Sequence, residues 1–304
     1  MNSTVEAVRE RVVIAGPAPS ARWIGVRALL RRKIALVGAL LVMVNGLVAL
    51  SAPTLARWDP QALDVKARLA APSAIHWLGT DDMGRDVWSR VVYGAQLSIL
   101  VGGSVVLISF AAGLVFGLLG GYYTALDNVL MRIMDGLMAF PGIILAIALM
   151  ASLGPSVANV IVALGVVYTP RVARIVRGSV LVIRETPYVE AARALGVPDL
   201  TILRRHVLPN CLSPVIVQGT FIFAAAVLGE AALSFLGVGV PPYVPSWGNI
   251  LAEGRLYLQQ APWLTLFPGA AIMGTILGLN LFGDGLRDLL DPKLRGVQGG
   301  VRES

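Results

Sequence analysis

TPYVEAARALGVPDLTILRRHVLPN, residues 186–210, is a water-soluble helix–turn–helix embedded in an otherwise greasy chain. Thr186 suits an N-cap, and Pro187 the first helical position, where no backbone N–H is needed. Tyr188, Ala192 and Leu195 recur at spacings of four and three, which predicts one shared face. Gly196 can take the left-handed conformation that ends a helix, and Pro198 prevents its resumption. Asp199 is expected to cap a second short helix with the apolar stripe Leu200, Leu203 and Val207. Pro209 is expected to stop it. No other polar stretch has this much internal design, so it is the candidate docking surface.

Outward from that loop the chain is built for a bilayer. It is 56% hydrophobic and 14% charged, whereas a soluble domain carries roughly 25% charged residues. A span needs about 20 apolar residues. Stretches near 34–56, 97–122, 129–153, 157–182, 212–236 and 264–282 meet that test, giving an all-α polytopic protein with six transmembrane helices. The helix–turn–helix then lies between spans four and five.

The net charge of +7 does not point to nucleic acid, because the charges are placed by topology. Arg9, Arg11, Arg22, Arg27, Arg31, Arg32 and Lys33 precede the first span. Arg171, Arg174, Arg177, Arg184, Arg193, Arg204 and Arg205 surround the end of the fourth and the following loop, and Arg287, Lys293, Arg295 and Arg302 follow the sixth. Between residues 57 and 96 the basic residues are balanced by Asp59, Asp64, Asp81, Asp82 and Asp86. The excess of positive charge on inner loops predicts both termini and the Glu190 loop in the cytoplasm. The organisation expected is a basic tail over 1–32, a first span and external segment over 33–95, and a five-helix core over 96–304 carrying the loop at 186–210.

Glu190-Ala191-Ala192, Gly196 and Leu208-Pro209, at these distances, resemble the coupling loop of ABC importer permeases. His206-Val207-Leu208-Pro209-Asn210 narrows the resemblance to the peptide-importing branch. Trp77-Leu78-Gly79-Thr80-Asp81 with Gly84-Arg85-Asp86 resembles the C-type permeases of dipeptide, oligopeptide and nickel importers. So do Asp135 with Ala139-Phe140-Pro141, the run from Glu230 to Gly237, Pro245-Ser246-Trp247-Gly248, Pro262-Trp263, and Phe282-Gly283-Asp284-Gly285-Leu286-Arg287-Asp288. The resemblance covers about residues 31–295. It implies a multi-pass subunit of the bacterial inner membrane that forms a path with a second, related permease. Two cytoplasmic ATPase subunits would dock on Glu190, Ala191, Ala192, Gly196, Leu208 and Pro209. An extracytoplasmic binding protein would deliver di- or oligopeptides. ATP and Mg would belong to the ATPases.

The external candidates are Gly79, Thr80, Asp81, Gly84, Arg85 and Asp86. Thr80 or Asp81 can cap a turn and Gly84 permits a tight bend. The segment is then a lid or partner surface, or a structural cap over the outer face. Charged groups in spans need a reason, since each costs about 2.5–3.5 kcal/mol at the bilayer centre. Arg132 and Asp135, and Asp284 and Arg287, are spaced to pair on their own helices. Glu230 has no partner within four residues, so it is a bundle-facing or partner-facing candidate. Gly113, Gly117, Gly120 and Gly121 form a seam for close helix approach, within the chain or with another subunit.

The chain holds no G-x-x-x-x-G-K-[ST] phosphate loop, and its lysines are Lys33, Lys66 and Lys293 only. With two histidines and the lone Cys211, no metal cluster or nucleophile–base set is legible. A polytopic enzyme is thereby disfavoured. An ion-gradient-driven transporter would call for charges at mid-membrane, whereas these cluster near the inner interface. Nickel or another small ligand remains the alternative cargo within the resembled family.

Overall fold

Long apolar runs satisfy all their backbone hydrogen bonds in a membrane only as helices or closed barrels. The computed structural model describes residues 33–290, which are mostly helical, with no strand beyond an isolated Thr80–Asp86 bridge. The tail expected over 1–32 lies outside the described residues. The long helices are α1 (Lys33–Leu50), α3 (Val87–Tyr122), α6 (Val157–Ile183), α9 (Leu208–Phe235) and α11 (Trp263–Leu290). A short α2 (Ala52–Leu55) follows α1.

The third expected span departs from a single helix. It consists of α4 (Thr124–Met138) and α5 (Gly142–Leu153), bent by 91° at residues 139–141. Pro141 explains the break. It is extended at ψ 127°, lacks an N–H, and biases the preceding Phe140 away from helical geometry. Five helices are long and apolar enough to cross a membrane, or six if the bent pair is one crossing.

The second span begins earlier than its apolar run. Asp86 caps α3 by accepting the Ser89 N–H at 2.8 Å, so 36 residues form one helix that runs through residue 95.

The glycine seam is used inside the chain. A Cβ on Gly113 would lie 2.5 Å from Val172 Cβ, one on Gly117 2.6 Å from the Ala173 carbonyl, and one on Gly121 2.6 Å from Val180 Cβ. All three neighbours are on α6, so α3 and α6 form the tightest helix pair, backbone against side chain. On the other flank α1 packs on α11, where Thr275 Oγ1 donates to Asn45 Oδ1 at 2.8 Å. The outward faces stay apolar: Ile34, Met43, Leu107 and Met273 are more than half exposed, as expected where lipid or another membrane subunit is the solvent.

Candidate functional site

The 186–210 loop forms α7 (Pro187–Ala194), a turn, α8 (Asp199–Ile202), and a π-helical turn (Leu203–Val207) that runs into α9. Pro187 opens α7 as expected. Thr186 occupies the N-cap position, but its hydroxyl donates backward to the Ile183 carbonyl at 2.6 Å rather than capping. Gly196 is left-handed at φ +74°. Its N–H reaches the Arg193 carbonyl at 3.0 Å and the Val197 N–H the Ala192 carbonyl at 3.1 Å, the hydrogen bonds of a glycine-terminated helix end. No atom lies within 4 Å of a Cβ built on Gly196, so backbone conformation alone selects glycine here.

The apolar stripes differ from those expected. Val189 and Ala192 are the buried face of α7, while Tyr188 and Leu195 are 47% and 84% exposed. In the second half Ile202, Leu203 and Val207 are buried, and Leu200 is 66% exposed. The spacing of four and three is thus real but is shared between two faces. Val189, Ala192, Ile202, Leu203 and Val207 hold the loop on its own core, and Tyr188, Leu195 and Leu200 remain uncovered on the far side. Glu190, Ala191 and Gly196 are exposed with them. Among the described residues Glu190 has no ion-pair partner.

Asp199 does not cap α8; its carboxylate accepts the Tyr122 hydroxyl at 2.7 Å. Arg193 lies over the Tyr122 ring at 5.6 Å, and Arg184 donates to the Gly121 carbonyl at 3.0 Å. The loop is therefore tied to the end of α3. Pro209 does not stop the helix either. The π turn, with the Leu208 N–H bonded to the Leu203 carbonyl, absorbs the missing proline N–H, and residues from Asp199 to Phe235 run as one helical stretch. Leu208 is half-buried and Pro209 exposed at its start.

At the other end of the molecule all six external candidates are buried. Asp81 Oδ1 accepts the N–H groups of Met83 (2.8 Å) and Arg85 (2.9 Å). Its Oδ2 binds Arg85 Nε at 2.6 Å and also Arg90. Arg90 continues to Glu253 Oε2 at 2.5 Å, and Arg85 Nη2 approaches Glu253 Oε1 at 2.9 Å. Glu253 belongs to α10 (Trp247–Gly254). Two guanidiniums thus lace the external segment and the start of α3 to α10. Thr80 bonds the backbone of Ala67 and Ala70, Trp263 Nε1 donates to the Thr80 carbonyl at 3.1 Å, and His76 Nδ1 lies 2.9 Å from Asp86 Oδ1. A Cβ on Gly84 would come within 1.8 Å of the Asp64 carbonyl oxygen, and its φ is +77°. These residues form a clasp that ties the segment before α3 to α10.

Asp82 is half-buried on its rim, and burial followed by the neighbouring Asp81 and Glu253 charges pushes its carboxyl above the usual range. Oxygens of Asp81, Asp82 and Glu253 approach within 4.8 Å of one another, yet Arg85 and Arg90 already supply the cationic charge a metal would bring. Glu253 and Arg90 were not legible as a pair in the sequence, because 163 residues separate them.

The intramembrane charges pair across helices rather than along them. Asp135 binds Arg174 at 2.8 Å, not Arg132. Asp127, which has no motif to mark it, takes Arg177 in a fork at 2.5 and 2.6 Å. Asp284 is exposed on α11 and makes no ion pair with Arg287 among the described residues. Glu230 is fully buried in α9, and it does have a neighbour: Ser234 Oγ, one turn on, donates to Oε1 at 2.8 Å. Its Oε2 is without a partner among the described residues.

The family model described as binding-protein-dependent transport system inner membrane component matches residues 113–296. A Brucella suis protein whose name assigns it to a peptide transport system as permease is 51% identical over 90% of this chain and 92% of its own. The dipeptide transport system permease protein DppC of Alkalihalophilus pseudofirmus is 44% identical, over 88% and 89% respectively. The glutathione transport system permease protein GsiD of an Escherichia coli strain is 44% identical over 88% of each chain.

Proposed function

Because the chain belongs to the family of binding-protein-dependent transport system inner membrane components, and is therefore a multi-pass permease subunit of an ABC importer, we propose that its cargo is di- or oligopeptides and that residues 186–210 couple it to separate ATPases. The relatives named for dipeptide, peptide and glutathione transport support the cargo.

The observation that carries the coupling assignment is the two-sidedness of the loop. One stripe is buried on the bundle while Glu190, Leu195 and Leu200 face outward. An exposed apolar and acidic knob on a membrane protein's polar face calls for a protein partner. Glu190 would meet a cationic or hydrogen-bonding group of an ATPase groove, and Ala191 allows close approach. Gly196 fixes the angle between the two short helices. When ATP and Mg close the ATPase pair, the knob moves as a rigid body and carries α9 with it. The loop and both termini are then cytoplasmic, a sister permease completes the path, and a binding protein delivers from outside.

Glu190→Lys and Gly196→Asp should leave the protein inserted at normal abundance yet abolish peptide uptake and co-purification of the ATPases. Uptake at wild-type rate by either variant, at equal membrane abundance, would refute the assignment.

A further inference from the structure

Three arginines follow one another at three-residue intervals on α6, and among the described residues two of them have carboxylate partners. Arg174 holds Asp135 and Arg177 holds Asp127. Arg171 has no ion pair among the described residues; its guanidinium lies 5.8 Å from the centroid of the Tyr168 ring. By the ~1.5 Å rise per residue it lies about 20 Å along α6 from Val157, further into the span than Arg174 and Arg177. An unpaired cation at that depth is costly, and where one is kept it marks a ligand path or a partner.

Arg171 opens on a cavity of about 400 Å³, within the range of small-ligand sites, roughly 300–1,000 Å³. Its wall includes Tyr168, Phe140, Gly142 and Ile143. The last two are the first residues of α5, just after the 91° break. Their N–H groups precede the first intrahelical bonds, which Ile144 and Leu145 make to the Pro141 carbonyl. The broken span therefore brings the first turn of α5, whose leading N–H groups have no intrahelical acceptor, into the wall of the cavity that Arg171 lines. The wall is otherwise apolar, with Leu164, Val167 and Leu228. The site combines a planar cationic fork with an uncharged lining, which fits a carboxylate carried on a small, partly apolar molecule.

We propose that Arg171 receives the C-terminal carboxylate of a peptide in transit, within the cavity at the break of the third span. This rests on the peptide-permease function proposed above. The helix-end donors assist but do not define the site; the side chain that selects the anion is Arg171.

The test uses the whole complex in proteoliposomes: both permeases, ATPases and binding protein. The probe is a labelled dipeptide without side-chain carboxylates, alongside its C-terminal amide at concentrations that saturate the binding protein. Loss of one charge-assisted bond corresponds to roughly ten- to hundred-fold. Arg171→Gln should cut uptake of the free acid by that factor while ATP hydrolysis stimulated by the loaded binding protein stays within about twofold of wild type. Arg171→Lys should recover part, since it keeps charge without the fork. The amide should cross the wild type as poorly as the acid crosses Arg171→Gln.

Unchanged acid uptake by Arg171→Gln would overturn the proposal, as would an amide carried as well as the acid. Loss of complex assembly or of stimulated hydrolysis in Arg171→Gln would also overturn it, assigning the side chain to the sister permease instead. A wild-type complex that carries neither peptide would refute the peptide function itself, and this proposal with it.

Discussion

Arg90→Met removes the cation on which the outer clasp turns. The side chain is 1% exposed and joins Asp81, 0% exposed, to Glu253, 20% exposed. Without it, two carboxylates crowd around the single guanidinium of Arg85. Breaking a buried pair by deleting one partner costs about 3–5 kcal/mol, because the orphaned charge stays desolvated. Glu253→Gln alone should cost less, about 1.5–3 kcal/mol, since it loses charge-assisted bonds at a more exposed position. Once Arg90 is gone Glu253 is a liability, so the double variant should be more stable than the sum of the single costs, by a coupling of about 1–3 kcal/mol. The assay is reversible unfolding of the detergent-solubilised protein, with protease cutting near Arg57, Lys66 and Arg68 as a report on local opening. A single-variant cost below about 1 kcal/mol, or additivity of the two, would show that the clasp does not hold the external segment.

Gly196→Ala meets no atom and should pay only for left-handed backbone, about 1–2 kcal/mol, with Gly196→Asn milder; hydrogen exchange of α7 and α8 reads both. Gly117→Val drives new atoms toward the Ala173 carbonyl, already 2.6 Å from a bare Cβ, and should prevent stable accumulation in the membrane, whereas Gly178→Val, with open space at its Cβ, should not. Asp82 has its folded pKa raised, so its contribution to stability is fully present below the unfolded value of about 3.9 and is lost as pH rises through the folded one. Asp82→Asn should therefore be neutral at acidic pH and should raise the unfolding midpoint at pH 7; an equal effect at both pH values would contradict this.

What could be read from the chain followed the range of each interaction. Apolar run length located the long helices, because lipid solvation acts residue by residue. Gly196 was legible because a helix end is a local event with a local glycine signature. The break at Pro141 was not, since proline is tolerated inside α6 and α9, at Pro170 and Pro214, and only the surrounding packing decides which proline bends a span. The faces of α7 were misassigned because Tyr188 and Leu195 are apolar without being core; a surface awaiting a partner has the same pattern as one already covered. The external motif was located but its side chains turned out to point inward, and their partner Glu253 carries no signature of its own. Charge pairing failed for the same reason. Asp127 and Asp135 find their arginines on α6 across the bundle, whereas sequence spacing exposes pairs only along one helix.

The uninterrupted stretch from Asp199 to Phe235 is 37 residues, about 55 Å at the rise of an α-helix. Near Gly219 the Phe110 ring abuts its backbone, and a rigid stretch pivoting there would act as a lever. A tilt of about 5° would swing each tip by about 2 Å, in opposite senses. The Phe235 end bears on Gly248, whose Cβ position is 2.3 Å from the Ala231 carbonyl oxygen, and through α10 on Glu253. Under the coupling proposed above, a push at the Asp199 end would be the same rotation as a pull at the Phe235 end, with no separate relay between them.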